Sequence, residues 1–399
     1  MPFLSRYRPF IVVASLYLLL MQLGFVVLAL PGSLAGNADF RSFYAAGHLV
    51  RDGRRAQLYD SELAHSAEIQ YVGYAGPILP FIHPSYEAAL FALLSFFPYK
   101  TSFCLFFAIN LALLALAFRL LSPPFAWLRE AWPLLPAIAV AAFLPVGVCL
   151  IHGQDSILLL AILAGAYALD HRRREFAAGL LLGLGLFRFQ LLLPLLLLLV
   201  FSRKWKFLYG FAASAVAVVA ACVLVSGPEI FVAYPKALLA ISGGLQTGAQ
   251  KIAVSVWPET MPNLRGLFYL AFAGRIPHSA LQIATLLSSL ALLVWAACKR
   301  LPMELAVMVA ILVSYHGGMH DSVLFLLPML KLPLPPRFPA QVSLLVWFLL
   351  LSGATLATVF HLPHASVALL YFPFLFLFAT GLKNSSSTPA MQERMALSS

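Results

Sequence analysis

Long apolar stretches, most of them about twenty residues long, run through the whole chain, and this is the length a helix needs to cross a membrane. Eight of them are readable at roughly 10–30, 100–120, 132–150, 156–170, 206–226, 278–298, 340–360 and 365–382. Of the 399 residues, 62% are hydrophobic and only 10% are charged, whereas a soluble domain has about 25% charged residues. We therefore predict an all-α polytopic membrane protein, and we exclude cytosolic enzymes, disordered proteins and secreted disulfide scaffolds.

Two further apolar stretches carry polar residues in their middle. The stretch 176–201 is interrupted by Arg-Phe-Gln at 188–190, and the stretch 303–331 by His-Gly-Gly-Met-His-Asp at 316–321. Basic residues flank both stretches at both ends, which favours the cytoplasm for all four flanks. We predict that each stretch is a hairpin of two short helices with its polar tip toward the other side. The count is then about twelve membrane segments with both termini cytoplasmic.

The distribution of charge agrees with this topology. Sixteen Lys and Arg and five Asp and Glu fall on the predicted cytoplasmic side, so the entire net charge of +11 lies there. The basic balance therefore reflects topology, and we predict no nucleic-acid partner. The topology leaves two large extracytoplasmic loops, 31–99 and 227–277, within a single transmembrane domain at 1–383. The Ser-rich tail 384–399 is predicted to be a disordered cytoplasmic segment.

Polar residues that interrupt apolar sequence fall on the predicted outer side. Because such groups are costly at membrane depth, they indicate a functional site, and we expect one outward-facing cavity to hold them. The set comprises Asp39, His83, His152, Gln154, Asp155, Arg188, Gln190, Asn263, Arg265, His316, His320 and Asp321.

The segment 37–47 begins a series of motifs along the chain. Its Asp39-Phe-Arg-Ser-Phe-Tyr44-Ala-Ala-Gly sequence resembles the Asp-Phe-x-x-Tyr-x-Ala-Gly segment of glycosyltransferase family 87, polyprenyl-phosphate-mannose-dependent mannosyltransferases of the membrane GT-C class. Four later segments resemble the family in the same order, and so does the hairpin around His320-Asp321. They are Gly53 with Leu-Tyr-Asp at 58–60, Phe-Ile-His-Pro-Ser at 81–85, Gly-Gln-Asp-Ser at 153–156, and Arg-Phe-Gln at 188–190. The resemblance runs from about residue 36 to 330, with Ser85 where a second Pro is usual and Arg188 where Lys is common.

The resemblance implies a GT-C-like bundle and a lipid-phosphate-sugar-dependent hexosyltransferase of the cell envelope. It would move mannose or another hexose from a polyprenyl-phosphate donor to an extracytoplasmic hydroxyl of a lipid or glycan acceptor, with inversion. The whole domain 1–383 would be catalytic and multi-pass in the plasma or inner membrane, in contact with membrane lipids. We predict no cofactor and no metal.

The chemistry of such a transfer suits these residue types. It needs a carboxylate base beside the acceptor and cations or donors where charge develops on the departing phosphate. We predict Asp39 as the base. The predicted donor-phosphate ligands are Arg188, His83, His320 and Arg265, and the predicted acceptor or sugar ligands are Tyr44, His152, Gln154, Asp155, Gln190 and Asp321.

Simpler interpretations stay open for several of these residues. Asp39 suits the N-cap of a short loop helix, and Asp155 suits a helix cap after a turn. Arg188 suits a structural ion pair with Asp155 or Asp321 as well as a phosphate contact. His316 and His320 have a metal-like spacing, but the two glycines between them argue against a rigid helix there.

Two other functions share these features. Broken helices with charged tips also build secondary transporters and channels, although we see no convincing internal repeat. A polymerase or ligase that uses lipid-linked oligosaccharides shares the chemistry of the transferase.

Overall fold

The computed structural model describes residues 2–77, 79–121, 126–243, 258–332 and 338–381, and within these ranges the chain forms helices and no strand. The α-helices are α1 (Pro2–Leu34), α2 (Phe40–Arg51), α3 (Ser61–Val72), α4 (Ser85–Ala92), α5 (Tyr99–Leu121), α6 (Ala126–Ala131), α7 (Leu135–Ala142), α8 (Leu144–His152), α9 (Ser156–His171), α10 (Glu175–Gly183), α11 (Phe189–Phe201), α12 (Trp205–Ser226), α13 (Ile230–Gly243), α14 (Leu264–Phe272), α15 (His278–Lys299), α16 (Met303–Val313), α17 (Leu326–Lys331), α18 (Ala340–Val359) and α19 (Ala368–Gly381). Short 3-10 helices lie at Arg55–Gln57, Leu94–Phe96, Leu184–Arg188, Pro258–Thr260, Met319–Phe325 and His364–Val367. The predicted disordered tail 384–399 lies outside the described residues, as does part of the second predicted loop.

Seven helical stretches of the described chain are long and apolar enough to cross a membrane. They are Arg6–Leu34, Tyr99–Leu121, Glu175–Phe201, Trp205–Ser226, His278–Lys299, Ala340–Val359 and His364–Gly381. The pair α7 and α8, bent by 53°, makes an eighth if it is one broken span. Large apolar side chains such as Leu28 and Leu224 are exposed on these helices, as lipid-facing surfaces require. The prediction of an all-α polytopic membrane protein is confirmed at this level.

The predicted count of about twelve membrane segments is not confirmed. α9 has 16 residues and α16 has 11, so each is shorter than the length that crosses the hydrocarbon core. The two predicted outer loops are not confirmed as loops either, because α2, α3 and α4 occupy much of 31–99, and α13 and α14 lie within 227–277.

The stretch Glu175–Phe201 is long enough for one span, but its two ends meet. The Lys204 amine just beyond it is 2.9 Å from an Asp170 carboxylate oxygen and 3.5 Å from one of Glu175. A straight helix of 27 residues would separate its ends by about 40 Å. The chain therefore turns back, at the 3-10 helix that ends at Arg188. This is the hairpin predicted from the flanking basic residues.

Close packing holds the first arm of this hairpin against α12. A Cβ at Gly179 would overlap the carbonyl oxygen of Phe207, and a Cβ at Gly210 would overlap that of Phe176. Small residues allow such backbone contact between membrane helices. The pairing of 176 with 210 and of 179 with 207 also shows that α10 and α12 start at the same level.

The second interrupted stretch turns back in the same way. The Tyr167 hydroxyl donates to Glu304 at the start of α16, at 2.6 Å. Lys331, at the end of α17, lies 5.0 Å from the centre of the same tyrosine ring. Both ends of the stretch 303–331 therefore meet at Tyr167, and the segment between α16 and the 3-10 helix Met319–Phe325 is its tip.

Helix α9 relates the two hairpins to each other. Asp155 precedes its first residue, whereas Tyr167 and Asp170 lie in its last turns. Sixteen residues of helix span about 24 Å. The bases of both hairpins contact the Tyr167 and Asp170 end, so both polar tips lie at the Asp155 end.

The first predicted loop is a compact helical unit around Phe40 and its aromatic neighbours. A Cβ at Gly47 would come within 2.6 Å of the backbone of Phe91, so α2 and α4 pack closely. The Arg41 guanidinium lies 3.3 Å from the Glu68 carboxylate, and both side chains are buried. These contacts to α3 and α4 hold the start of α2, and with it residue 39, in a fixed position.

Candidate active site

A glycine turn brings the loop between α8 and α9 against the start of α2. Gly153 has φ of +60°, a conformation that glycine adopts without steric cost. A Cβ there would also lie 2.7 Å from the Cβ of Phe40. The next residue, Gln154, therefore lies beside Asp39, the residue that precedes Phe40.

Asp39 holds a position before α2, but its side chain makes no capping hydrogen bond. Its carboxylate instead accepts a hydrogen bond of 2.7 Å from the Gln154 amide nitrogen and lies 3.3 Å from Nδ1 of His152. The geometry therefore disfavours the simple helix-cap interpretation. The Asp39 side chain is 27% exposed and that of His152 is 43% exposed, so this carboxylate is accessible from outside the protein.

The surroundings of Asp39 keep it ionised. Burial by itself raises the pKa of the carboxyl. The hydrogen bond and charge of His152, the charge of His320 and the hydrogen bond from Gln154 outweigh burial and lower the pKa to about 2. Opposite charges and donors to a carboxylate favour its charged form. Asp39 is therefore an ionised carboxylate at neutral pH.

Asp155 and Arg188 form a buried ion pair beside Gln154. Asp155 precedes α9 without capping it, and its Oδ1 accepts from Nε of Arg188 at 2.8 Å and also from Nη2. Nη2 of Arg188 donates to the Gln154 amide oxygen at 2.6 Å, and Nη1 lies 3.6 Å from Oδ1 of Asp321. The structural pairing left open for Arg188 is thus observed, with both aspartates.

Asp321 ties the tip of the second hairpin to the same cluster. Its Oδ1 accepts from the Ser156 hydroxyl at 2.7 Å, and its Oδ2 accepts from the Gly318 backbone N–H at 2.9 Å. His320 lies next to it, with Nε2 at 3.5 Å from Oδ2 of Asp321. His320 is partly exposed, so this hairpin presents an imidazole toward the Asp39 side of the cluster.

His83 completes the buried part of the cluster together with a residue that the sequence analysis missed. Nδ1 of His83 is 2.7 Å from Oε2 of Glu87 and 3.4 Å from Oδ2 of Asp155. The His83 ring also stacks edge-on against Phe43 at 4.8 Å. The signal for Glu87 was its position four residues after His83, which brings both onto one face of a helical turn.

Arg265 lies where the second predicted loop meets the second hairpin. Its Nη1 donates to the Tyr315 carbonyl at 3.1 Å, and its guanidinium carbon lies 3.9 Å from the centre of the Tyr315 ring. Asn263 donates to the Ser314 carbonyl at 2.9 Å and fixes the start of α14. In the part of the chain that the structure describes, no carboxylate lies within ion-pair distance of Arg265, although its side chain is buried.

Two predicted ligands are not drawn into these contacts. The Tyr44 hydroxyl is buried and donates to the Phe97 carbonyl at 2.8 Å, so it joins α2 to the segment before α5. Gln190 lies just beyond the tip at Arg188, and no hydrogen bond joins it to the other described members of the cluster. The cluster thus contains one accessible carboxylate, Asp39, above a layer of buried and mutually paired charges.

A bundle of apolar helices with a carboxylate-rich polar cluster at one end suits a membrane-embedded enzyme, and it also suits a transporter. The family model of glycosyltransferase family 87 matches residues 81–316, more than half of the chain. The chain belongs to glycosyltransferase family 87, and it is a membrane glycosyltransferase. This confirms the family expected from the motifs, and the matched range contains those at 81–85, 153–156 and 188–190. No curated protein and no solved structure matches the chain significantly.

The buried pairing of Arg188 makes a testable prediction about stability. Arg188→Ala leaves Asp155 and Asp321 as buried carboxylates without their cation. Removal of one partner from a buried ion pair typically costs about 3–5 kcal/mol, so the thermal unfolding midpoint of the purified protein should fall sharply. Arg188→Lys keeps the charge but loses the forked geometry, and an intermediate midpoint is expected. The control is Arg275→Ala, at an exposed arginine. A midpoint for Arg188→Ala equal to that of the control would contradict a structural role.

Proposed function

We propose that the protein transfers a hexose, with mannose the first to test, from a polyprenyl-phosphate donor to a hydroxyl of a lipid or glycan acceptor. The single observation that carries the proposal is the Asp39 carboxylate. It is accessible, it is ionised, it caps no helix, and Gln154 and His152 hold it in place. In this proposal the polar end of the bundle contains the reacting groups and the apolar helices accommodate the polyprenyl tail.

Asp39 acts as the general base in the proposed reaction. The acceptor hydroxyl oxygen forms a bond to the anomeric carbon while the bond from that carbon to the phosphate oxygen breaks. The hydroxyl proton passes to the Asp39 carboxylate, and the bonding electrons leave with the lipid phosphate. Because attack and departure occur on opposite faces in one step, the anomeric configuration inverts, and no covalent sugar–enzyme intermediate forms.

The developing charge on the departing phosphate needs cations or hydrogen-bond donors. Arg265 suits this role best of the four predicted phosphate ligands, because no described carboxylate already pairs with its guanidinium. His320 is partly exposed and lies close enough to Asp39 to lower its pKa, so it is the second ligand in this proposal. Arg188 and His83 are held among buried carboxylates, and we assign them to positioning Gln154 and Asp155.

Acceptor and sugar contacts are assigned to the exposed rim of the cluster. The His152 side chain is 43% exposed and lies beside Asp39, so it is suited to orient an acceptor hydroxyl. Gln154, Asp155 and Asp321 support this rim from below through their contacts with Arg188. Gln190 stays a predicted sugar ligand.

The proposed active site faces the extracytoplasmic side of the plasma membrane. The polar end near Asp155 and the basic end near Asp170 are at opposite ends of α9, and basic segments favour the cytoplasm. A membrane-impermeant maleimide should therefore label Ser66→Cys, an exposed position on α3, in intact cells. It should not label Ser202→Cys, an exposed position at the basic end. Both variants are made with Cys104 and Cys298 replaced by alanine. Labelling of Ser202→Cys but not of Ser66→Cys would show that the proposed active site faces the cytoplasm, which contradicts the proposal.

The function is tested with purified protein, radiolabelled polyprenyl-phosphate sugars and analysis of the product. Asp39→Asn keeps the size of the side chain but cannot take the proton, so kcat should fall by about 10²–10⁴-fold while donor binding survives. Arg265→Gln should instead raise the KM for the donor, because a phosphate contact is lost. Asp52→Asn changes an exposed carboxylate of the same helical unit and serves as the control.

Near-normal turnover of Asp39→Asn would refute the role of this base. A product that retains the anomeric configuration of the donor would refute the one-step reaction, even if the enzyme proved to be a transferase.

The environment of Asp39 also predicts a change in the pH profile. In the wild type the pKa of Asp39 is lowered to about 2, so the base stays ionised over the accessible range. His152→Ala removes the two largest lowering causes, so burial, which raises the pKa of Asp39, is opposed only by the charge of His320 and the hydrogen bond from Gln154. As the pH falls through the raised pKa the base is protonated, and kcat/KM falls. The acid limb of the profile between pH 4 and 8 should therefore appear at higher pH than in the wild type.

The control for this profile is His361→Asn, at an exposed histidine in the left-handed region of backbone space. Asparagine tolerates that conformation. Coincident acid limbs for His152→Ala and the wild type would show that His152 does not set the charge of the base.

A further inference from the structure

Three potential metal ligands meet in the buried part of the cluster. Nδ1 of His83, a carboxylate oxygen of Glu87 and a carboxylate oxygen of Asp155 all lie within 4.8 Å of one another. His83 and Glu87 come from one turn at the start of α4, whereas Asp155 comes from the turn before α9. The exposed fractions of the three side chains are 7%, 1% and 0%. Two separate parts of the chain therefore supply one nitrogen and two oxygen ligands to an enclosed site.

The polar atoms that face one another in this site have no hydrogen-bond donor among the described residues apart from a proton on His83 or on one of the carboxylates. Both carboxylate oxygens of Glu87, Oδ2 of Asp155 and Nδ1 of His83 are buried and form no hydrogen bond with any described group outside this set. Buried polar atoms are normally satisfied, and an uncompensated carboxylate is especially costly. Of the two carboxylate oxygens of Asp155, only Oδ1 accepts hydrogen bonds from Arg188. The second carboxylate oxygen, Oδ2, faces His83 and Glu87.

The cluster also contains more carboxylates than permanently charged cations. The cluster contains four carboxylates, those of Asp39, Glu87, Asp155 and Asp321. Contacts with the side chains of Gln154, Arg188 and His83 connect them to one another. Arg188 is the only permanently charged cation with an ion pair to this described set. One divalent ion between Glu87 and Asp155 would compensate two of the remaining charges.

We propose that His83, Glu87 and Asp155 bind one divalent metal ion of the kind represented by Zn²⁺ and Mn²⁺. An imidazole nitrogen suits Zn²⁺, and carboxylate oxygens suit both ions. Ligand atoms about 2.1 Å from a tetrahedral ion lie about 3.4 Å apart, and the His83–Asp155 distance is 3.4 Å. The His83–Glu87 pair, at 2.7 Å, opens by about 0.7 Å to reach the same spacing.

The neighbours of the three ligands support such a site. Arg188 holds Asp155 through its other oxygen, and the Tyr59 hydroxyl donates to the His83 carbonyl at 2.9 Å. Outer contacts of this kind orient metal ligands. The ion fixes Asp155 and Arg188 and, through Arg188, the Gln154 amide that contacts Asp39. Metal binding is a property of the folded chain and does not rest on the proposed transfer reaction.

The proposal is tested on the purified full-length protein in detergent after treatment with a chelator. Calorimetric titration with Zn²⁺ and with Mn²⁺ should show one ion bound per chain, and elemental analysis after dialysis should confirm the stoichiometry. Glu87→Gln and His83→Ala should each weaken binding at least tenfold. His65→Ala is the control, because His65 also lies beside a buried glutamate, Glu68, but no third ligand joins them among the described residues.

Glu87→Gln also separates a metal from a proton shared by the carboxylates, because glutamine imitates a protonated glutamate of the same size. The ion should raise the unfolding temperature of the wild type and of His65→Ala, since a ligand of the folded state stabilises it, and should not raise that of Glu87→Gln. Absence of stoichiometric binding in the wild type would overturn the proposal. Binding that is unchanged in both ligand variants would be adventitious and would overturn it as well. Neither result affects the assays of sugar transfer.

Discussion

The buried guanidinium of Arg188 is the charge around which the functional end of the bundle is organised. A cation without partners is very costly in an apolar interior, so the hairpin tip that carries it requires carboxylates nearby. Asp155 and Asp321 provide them from two other elements, and Gln154 occupies a further N–H donor. Because Gln154 also donates to Asp39, the same buried charge helps to orient the accessible carboxylate as well.

The membrane explains why the polar groups are concentrated at one end. An interrupted helix is tolerated at membrane depth only where its broken backbone is buried in protein or lines a cavity. Both interrupted stretches turn back at such breaks, and their bases meet near Tyr167 and Asp170 at the other end of α9. The two tips are consequently neighbours, and together they build a polar site at that end of the bundle.

The cluster divides its carboxylates between two tasks. Asp155 and Asp321 are almost completely buried and paired, which suits the fixing of geometry. Asp39 is accessible, and its ion-pair and hydrogen-bond partners keep it charged. In the transfer reaction proposed above, this division has a chemical meaning, since that reaction needs one base beside the acceptor. Arg265, which donates a hydrogen bond to the Tyr315 carbonyl, is the cation that would contact the donor phosphate in the proposed reaction.

Local sequence determined the all-helical membrane fold, both hairpins and the end of the bundle at which polar residues gather, because hydropathy and basic flanks act over one or two helices at a time. Only the tertiary structure decided how many stretches are full spans. It alone showed that Asp155 and Asp321 are buried in ion pairs whereas Asp39 is accessible. Gln154 meets Asp39 across 115 residues of chain, and Ser156 meets Asp321 across 165. Pairing over such distances depends on how α9 and the two hairpins pack, and no periodicity in the sequence records that packing.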